Sequence, residues 1–546
     1  MIPNHLDTPL PRQRPLVAYI AAMFALGGAM SVCHAAPSQV TNCNDSGSGS
    51  LRAAVASATS GESIDMQALT CSTITLTSGG ISTNLDNLSI LGPGQGKLTI
   101  TGPPTPEAPF AAINTATGTF HIANLTVANG HGVGPGCVYA KGNLSLSGVT
   151  VTGCTSVGNV GGGVRTRGNL TMVNSTLSDN TEVNSFGGGG AWVDGNATIS
   201  NSTISNNVAT TDSPYYGSFR AGGLYVGGNL SLSHSTISGN RVSSSRSEVP
   251  AFGGGASVNG DAHIVFSIIG SNSASGAGTD VRGGGIYIGS PAGPANYAYF
   301  GYSTISGNSI VSSTTGSVAN VQGGGISSEK PFGFKFSTID HNHSNGVGGG
   351  IGAGANAHLN MTMSTISGNI AGFQGGAIFT SYDKTMLLLN STVAENYTAT
   401  ATRCAGIFFN YGGMLTTESS IIAKNTKYNS NLSPCDIGGN SPLTISAVNG
   451  HNLIQNSIAT VSADTISGDP QFFTLANNGG VTQTLGIAQS SPARQAGSNL
   501  FNLSSDQRGF GYPRTRGGKT DIGAFEWQGI GDGDTIFRNG FDLQFQ

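Results

Sequence analysis

A seven-residue phrase recurs down the middle of this chain, and it constrains the fold more than any other feature. It reads NSTLSDN ending at Asn180, NSTISNN at Asn207, HSTISGN at Asn240 and FSIIGSN at Asn272. It continues as YSTISGN at Asn308, FSTIDHN at Asn342, MSTISGN at Asn369, NSTVAEN at Asn396 and a looser SSIIAKN at Asn425. The steps between these asparagines are 27, 33, 32, 36, 34, 27, 27 and 29 residues. A fixed minimum with variable excess describes one structural unit carrying loops of different length. A second phrase is interleaved with it: GGGV ending at Val164, GGGA at Ala191, AGGL at Leu224, GGGA at Ala256, then GGGI at Ile286, Ile326 and Ile351. A third is a glycine turn, as in KGNL at Lys141–Leu144, RGNL at Arg167–Leu170 and DGNA at Asp194–Ala197.

Between the turns, apolar residues alternate with period 2, the mark of short strands. Leu170 with Met172, Leu230 with Leu232, and Leu387 with Leu389 point inward on one strand of the unit. Leu177, Ile204, Ile237 and Ile305 do so on a second, and Val164, Ile286 and Ile326 on a third, with Ser and Thr between them facing water. Helix is disfavoured by windows full of Gly, Asn and β-branched residues. Three strands per unit, stacked unit on unit, make an all-β chain: a right-handed parallel β-helix. Roughly a dozen coils at about 4.8 Å spacing give a rod about 55–60 Å long. The repeated asparagine suits a side-chain amide ladder inside a turn. Glycine suits corners that need positive φ or close backbone approach. This explains why 84 of 546 residues are glycine and only 9% are charged. A net charge of −4 leaves no overall basic footprint for nucleic acid.

The N-terminus reads as an export signal over residues 1–35: Arg12 and Arg14, the apolar run Leu16 to Val32, then a small-residue site ending at Ala35. Its removal leaves Cys43, Cys71, Cys137, Cys154, Cys404 and Cys435. In a solenoid each coil touches only its neighbours, so sequence-local disulfides are expected: Cys43–Cys71, Cys137–Cys154 and Cys404–Cys435. The exposed apolar end of a solenoid needs a cap. Ser46–Ile64 supplies a short helix with Ser50 as N-cap and Leu51, Val55 and Ala58 on one face. The expected layout is cap and first coils over 36–115, β-helix repeats over 116–430, a small C-terminal module over 431–527, and a linker and tail over 528–546.

The longest inserts carry the atypical residues, and in solenoids such inserts often form the binding face. The ligand-binding candidates are Tyr215, Tyr216 and Arg220 in one insert, and Tyr297, Tyr299 and Tyr302 in another. The alternative is that these aromatics fold back and cover the rod. No catalytic set stands out. Paired carboxylates for glycoside hydrolysis are missing from the sequence pattern, and Gly130-His131-Gly132 is a chance match in so glycine-rich a chain. Asp340-His341-Asn342-His343 is the densest polar cluster. It overlaps the repeat asparagine, which places it at a corner rather than on a metal-binding strand face. No metal or cofactor is expected, and calcium is unsupported.

The opening Cys43–Val55, the STISGN and GGGI repeats and the chain's ending resemble secreted bacterial right-handed β-helix proteins with a choice-of-anchor Q domain. The residues that carry the likeness at the end are Gly468-Asp469-Pro470, Asn477-Asn478-Gly479-Gly480, Ser491-Pro492-Ala493, Asp506-Gln507-Arg508-Gly509 and Asp521-Ile522-Gly523-Ala524-Phe525-Glu526. The repeats are more loosely similar to those of polymorphic outer membrane proteins. The resemblance implies an exported, surface-associated protein and assigns no activity. The expected function is non-enzymatic adhesion or polysaccharide binding by a monomer, at the cell surface or outer membrane or in the medium. The alternatives are a polysaccharide lyase or glycoside hydrolase, and a structural spacer.

Overall fold

The computed structural model describes residues 38–529, apart from 103–109, 113–117, 215–216, 279, 290–296, 314–319, 382–383, 400–402, 428–432 and 441–442. The expected export signal over 1–35, the tail from 530 onward and the candidates Tyr215 and Tyr216 lie outside the described residues.

The chain winds into a parallel β-solenoid of about thirteen turns. Each regular coil contains four strand segments where the repeat pattern predicts three. In one coil these are Val164–Thr166, Leu170–Val173, Thr176–Ser178 and Thr181–Val183. The second and third segments stack into one broad sheet of 27 strands, broken in each coil by a residue such as Asn174 at φ +49°. Val164–Thr166 and its equivalents form a second sheet of 13 strands, and Thr181–Val183 and its equivalents a third of 11. The third-sheet segment escapes the periodicity because it is only two to four residues long. Its inward positions also mix Ser156, Glu182, Ala209, Val242 and Ser344, with no apolar signature. Register is held coil to coil, with Val164 over Ala191, Ala191 over Leu224 and Leu224 over Ala256. A one-residue slip would turn these side chains out to water.

Two interior columns run along the rod. The main core fills the space between the first and second sheets, with Val164, Leu170, Met172 and Leu177 all buried in one coil. The coils with long inserts add a fourth sheet made of Phe219–Arg220, Ala251–Phe252, Asp280–Arg282 and Asn320–Gln322. Phe219, Val242, Val249, Ala274, Val281 and Ile310 form a second core between the third and fourth sheets. The asparagine ladder stands between the two cores. Asn207 donates from Nδ2 to Asn240 Oδ1 at 2.9 Å, and the same bond repeats from Asn180 through Asn425. The glycine phrase packs against it. A Cβ on Gly163 would sit 2.9 Å from Asn180 Cγ and 2.8 Å from Gly190 O, closer than a side chain tolerates. The two repeated phrases therefore occur together because they pack directly against each other inside the coil.

A serine ladder runs parallel to the asparagines. Ser202 N donates to Ser235 Oγ at 3.1 Å, and the pattern continues through Ser267, Ser303, Ser337, Ser364 and Ser391. These serines are buried, which corrects the expectation that all Ser and Thr between the apolar positions face water. Each uses a hydroxyl to satisfy a backbone N–H at a left-handed corner, where sheet bonding lapses.

The three expected disulfides form, Cys43–Cys71, Cys137–Cys154 and Cys404–Cys435. A helix, Leu51–Ser57, starts at Ser50, whose hydroxyl accepts from Ala53 N; Leu51, Ala54 and Val55 are buried. The coils run beyond the expected boundary at 430, through Ile437–Gly439 and Leu443–Gly450 to Leu453–Ile454. The asparagine phrase stops at Asn425 because Asp436 takes the next rung. The segment from Gly468 to Trp527 then folds back along the flank of the last coils. Thr482 Oγ1 donates to Phe336 O at 3.0 Å, and Ala524 N donates to Thr392 Oγ1 at 3.0 Å. Within it Arg508 lies between the rings of Tyr512 and Phe525, 3.9 and 4.0 Å from their centroids, and pairs with buried Asp506 at 2.7 Å.

Candidate functional site

The residue that follows each glycine phrase by one position points outward from the second sheet. In register, coil by coil, this row reads Tyr139, Arg165, Trp192, Tyr225, Ser257 and Tyr287. The Arg165 guanidinium lies 6.0 Å from the Tyr139 ring centroid, and Trp192 stacks on Tyr225 at 3.7 Å and 22°. The fourth sheet borders this row. Its Phe252 stacks on Tyr287 at 4.6 Å, with Arg220 and Arg282 at 5.7 and 5.8 Å. Polar bonds fix the planar groups. Trp192 Nε1 donates to Asp194 Oδ1 at 2.7 Å. Asn259 Nδ2 donates to Tyr225 Oη at 2.9 Å, and its Oδ1 accepts from Arg220 Nη1 at 2.9 Å. Burial pushes the Tyr225 hydroxyl pKa up, partly offset by the Arg220 charge. The row is thus a preformed strip of rings and guanidiniums on a rigid sheet.

Farther along, Arg282 pairs with Asp280 at 2.6 Å and with Glu329. Burial opposes its charge, but the two carboxylates outweigh that and raise its pKa. This is an Arg–carboxylate set on neighbouring coils. Its carboxylates are engaged, however: Glu329 Oε1 holds Arg282 and Oε2 accepts from Ala355 N at 3.1 Å. Lys330 Nζ is turned inward onto the carbonyls of Asn259 and Gly260.

The sequence-derived candidates divide between two faces. Arg220 joins the second-sheet strip. Tyr297, Tyr299 and Tyr302 belong to the first sheet, across the Asn259–Asp261 corner, where Asp261 Oδ1 accepts from Tyr297 N at 2.9 Å. They were expected within an insert. Tyr299 lies instead in strand Ala298–Gly301, stacked on His263 at 5.4 Å, and Phe300 of the same strand points into the core. Tyr302 occupies the left-handed corner, one rung of a stack with Phe266 at 4.8 Å and Phe336 at 4.6 Å. Its two ring faces are occupied by neighbours. The fold-back alternative holds for Phe219 and Phe252, both buried. Sequence reasoning missed Tyr139, Arg165, Trp192 and Tyr225, although each immediately follows the apolar residue of a glycine phrase.

His131 lies in the two-residue strand His131–Gly132, exposed. His341 sits at a corner with φ +52° and binds Asp340 Oδ2 at 2.7 Å through Nδ1. Among the described residues no group of three or more His, Cys, Asp or Glu is placed to hold a metal ion, and no helix is long and apolar enough to cross a membrane.

The fold is a parallel β-solenoid whose second sheet carries this row on its outer face. No family model matches the chain, and no curated protein matches it. Among solved structures, the crystal structure of pectate lyase Pel9A is similar over 90% of this chain and 97% of that one, at 16% identity and a TM-score of 0.29.

Proposed function

We propose that this is an exported, non-enzymatic rod that binds polysaccharide along the outer face of its second sheet. The observation that carries the reading is the register-aligned row Tyr139, Arg165, Trp192 and Tyr225, repeating at the coil spacing of about 4.8 Å. A linear polymer laid along the rod axis meets half-buried Tyr139, Arg165 and Trp192 one per coil, with buried Tyr225 backing the Trp192 ring. Because stacking and the Asp194 and Asn259 bonds already fix these side chains, binding costs little further side-chain entropy. The carboxylates nearest the strip are taken up by Trp192, Arg282 and Ala355, which argues for recognition over acid–base chemistry. Export is supported by the N-terminal apolar run and by three disulfides, which persist in oxidising compartments.

The test uses the purified protein against a panel of neutral and acidic polysaccharides, scoring retention and chain cleavage together. The chain has two tryptophans, Trp192 and Trp527. In a Trp527→Phe background Trp192 becomes the single reporter, and a saturable change in its fluorescence on polymer addition is expected. Cleavage of any substrate, or binding that leaves Trp192 unchanged, overturns the reading.

A further inference from the structure

We infer that the ligand of this strip is an anionic polysaccharide, bearing carboxylate or sulfate groups; this rests on the polysaccharide-binding reading above. The whole chain is slightly acidic, with 23 Lys and Arg against 27 Asp and Glu. The start of the strip is the reverse. Lys141, Arg165, Arg167 and Arg220 all lie on the second sheet, its glycine corner or the bordering fourth sheet, within three coil steps. Asp194 is the acidic residue among them, and it is bound to Trp192 Nε1. None of the four cations forms an ion pair among the described residues. Arg165 donates to Asn159 Oδ1 at 2.6 Å, and Arg220 to Asn259 Oδ1 and Ser218 Oγ, so among the described residues their side-chain hydrogen-bond partners are neutral.

The placement gathers positive charge along one edge of the strip. Lys141 and Arg167 occupy the same exposed corner on adjacent coils, joined by the bond from Arg167 N to Ala140 O at 3.0 Å. Like charges this close together raise the local positive potential, which attracts an anion. Arg165 is only two residues from Arg167 on the same coil. A polyanion lying along the axis meets all of these charges, and it also uses the fork geometry of guanidinium for carboxylate or sulfate oxygens. Arg165 and Arg220 flank the Trp192–Tyr225 pair about two coils, or roughly 10 Å, apart. Anionic groups spaced along one chain therefore reach both while the sugar rings cross the aromatic edges.

The experiment measures binding of the whole protein to dextran and dextran sulfate, to alginate and its propylene-glycol ester, and to duplex DNA, at low and high salt. Dextran sulfate or alginate is expected to bind at least about tenfold more tightly than its neutral counterpart, with affinity falling as salt rises. The two pairs separate sulfate from carboxylate recognition. Arg165→Gln/Arg167→Gln is expected to remove that preference while Lys519→Gln, an exposed charge in the C-terminal segment, keeps it. Should the double variant fold poorly, Lys141→Gln alone is expected to weaken anionic binding severalfold. Equal affinity for neutral and charged polymers overturns the anionic assignment and leaves the polysaccharide reading standing. Binding to no polysaccharide overturns both. Binding to DNA more tightly than to every polysaccharide, lost in the double variant, overturns them in favour of a nucleic-acid ligand.

Discussion

Asn425 Nδ2 donates to Asp436 Oδ1 at 2.8 Å, and Asn425 N donates to the same oxygen at 3.0 Å, so the buried asparagine ladder ends on a carboxylate. The other oxygen, Asp436 Oδ2, accepts from Asn456 N at 2.9 Å and Asn456 Nδ2 at 3.2 Å. A terminal rung has no further amide above it, and an acceptor-only group satisfies donors from both sides. Asp436→Asn keeps one accepting oxygen but sets an NH2 against the Asn456 donors. It is expected to cost about 1–3 kcal/mol, read as a lower denaturant midpoint. Asp436→Ala should cost more, since both sets of donors then lose their partner.

In mid-ladder, Asn272 Oδ1 accepts from Asn240 N and Nδ2, while its own Nδ2 donates to Ile237 O and Asn308 Oδ1. Asn272→Ala strands several buried groups together and is expected to cost roughly 2–5 kcal/mol. Solenoid stability is a sum of local interface terms. Hydrogen exchange should therefore accelerate first in the coils from Asn240 to Asn308, and a uniform acceleration along the rod would contradict the ladder's role.

Glu182 is the inward residue of its third-sheet strand and is fully buried. Burial raises its pKa to about 9, with the Ser185 backbone N–H offsetting part of that. A folded pKa above the unfolded value near 4.5 means that the contribution to stability is fully present below that lower value. It declines as pH rises toward about 9. Glu182→Gln removes this dependence. Thermal unfolding should show the variant close to the parent in mild acid and clearly more stable at pH 8, by an amount on the order of kcal/mol.

Gln507 joins the C-terminal segment to the coils. Its Nε2 donates to Thr338 Oγ1 at 2.9 Å and Thr482 Oγ1 at 3.0 Å, and its Oε1 accepts from Thr365 Oγ1 at 2.6 Å. Gln507→Ala leaves these buried hydroxyls short of partners, at a cost of about 1–3 kcal/mol. The expected readout is faster proteolysis or hydrogen exchange within Gly468–Trp527 while the coils stay protected.

Trp192→Ala and Tyr302→Ala separate the two aromatic faces. The first is expected to reduce polysaccharide retention at least tenfold; the second should leave it within about twofold, because Tyr302 is a rung whose faces are already covered. Glycan-array or affinity-electrophoresis measurements on both variants decide the matter, and the opposite ranking would return the site to the first sheet.

Much of the fold is legible in the repeat. Period-2 alternation identifies Leu170, Met172, Leu177 and Val164 as core, and the recurring asparagine and glycine phrases imply ladders and tight corners. It misplaces Leu387 and Leu389: Met386 and Leu388 take the core positions in register with Leu359 and Met361, because the unbroken apolar run Met386–Leu389 carries no alternation. The third-sheet strands are hidden because two to four residues with Ser156 or Glu182 inward carry no periodic signal. The serine ladder is hidden because a corner serine and a solvent-facing serine look alike in sequence. The proposed strip was only partly legible: Arg220, singled out in an insert, borders it, but inserts drew attention away from Tyr139, Arg165, Trp192 and Tyr225, which sit inside the ordinary repeat.

The nearly identical phrases around Thr203 and Thr365 mark the limit. The sequence by itself determined that both threonines alternate with core residues, Ile204 and Ile366, on equivalent strands five coils apart. Thr203 is only partly covered, whereas Thr365 is buried under Gln507. Local pattern sets strand, corner and inward face, because those depend on neighbours within one coil. Which stretch of flank lies open, and which outward side chains meet in one strip, depends on coil stacking and on a contact spanning 142 residues. Only the tertiary structure brings those groups together.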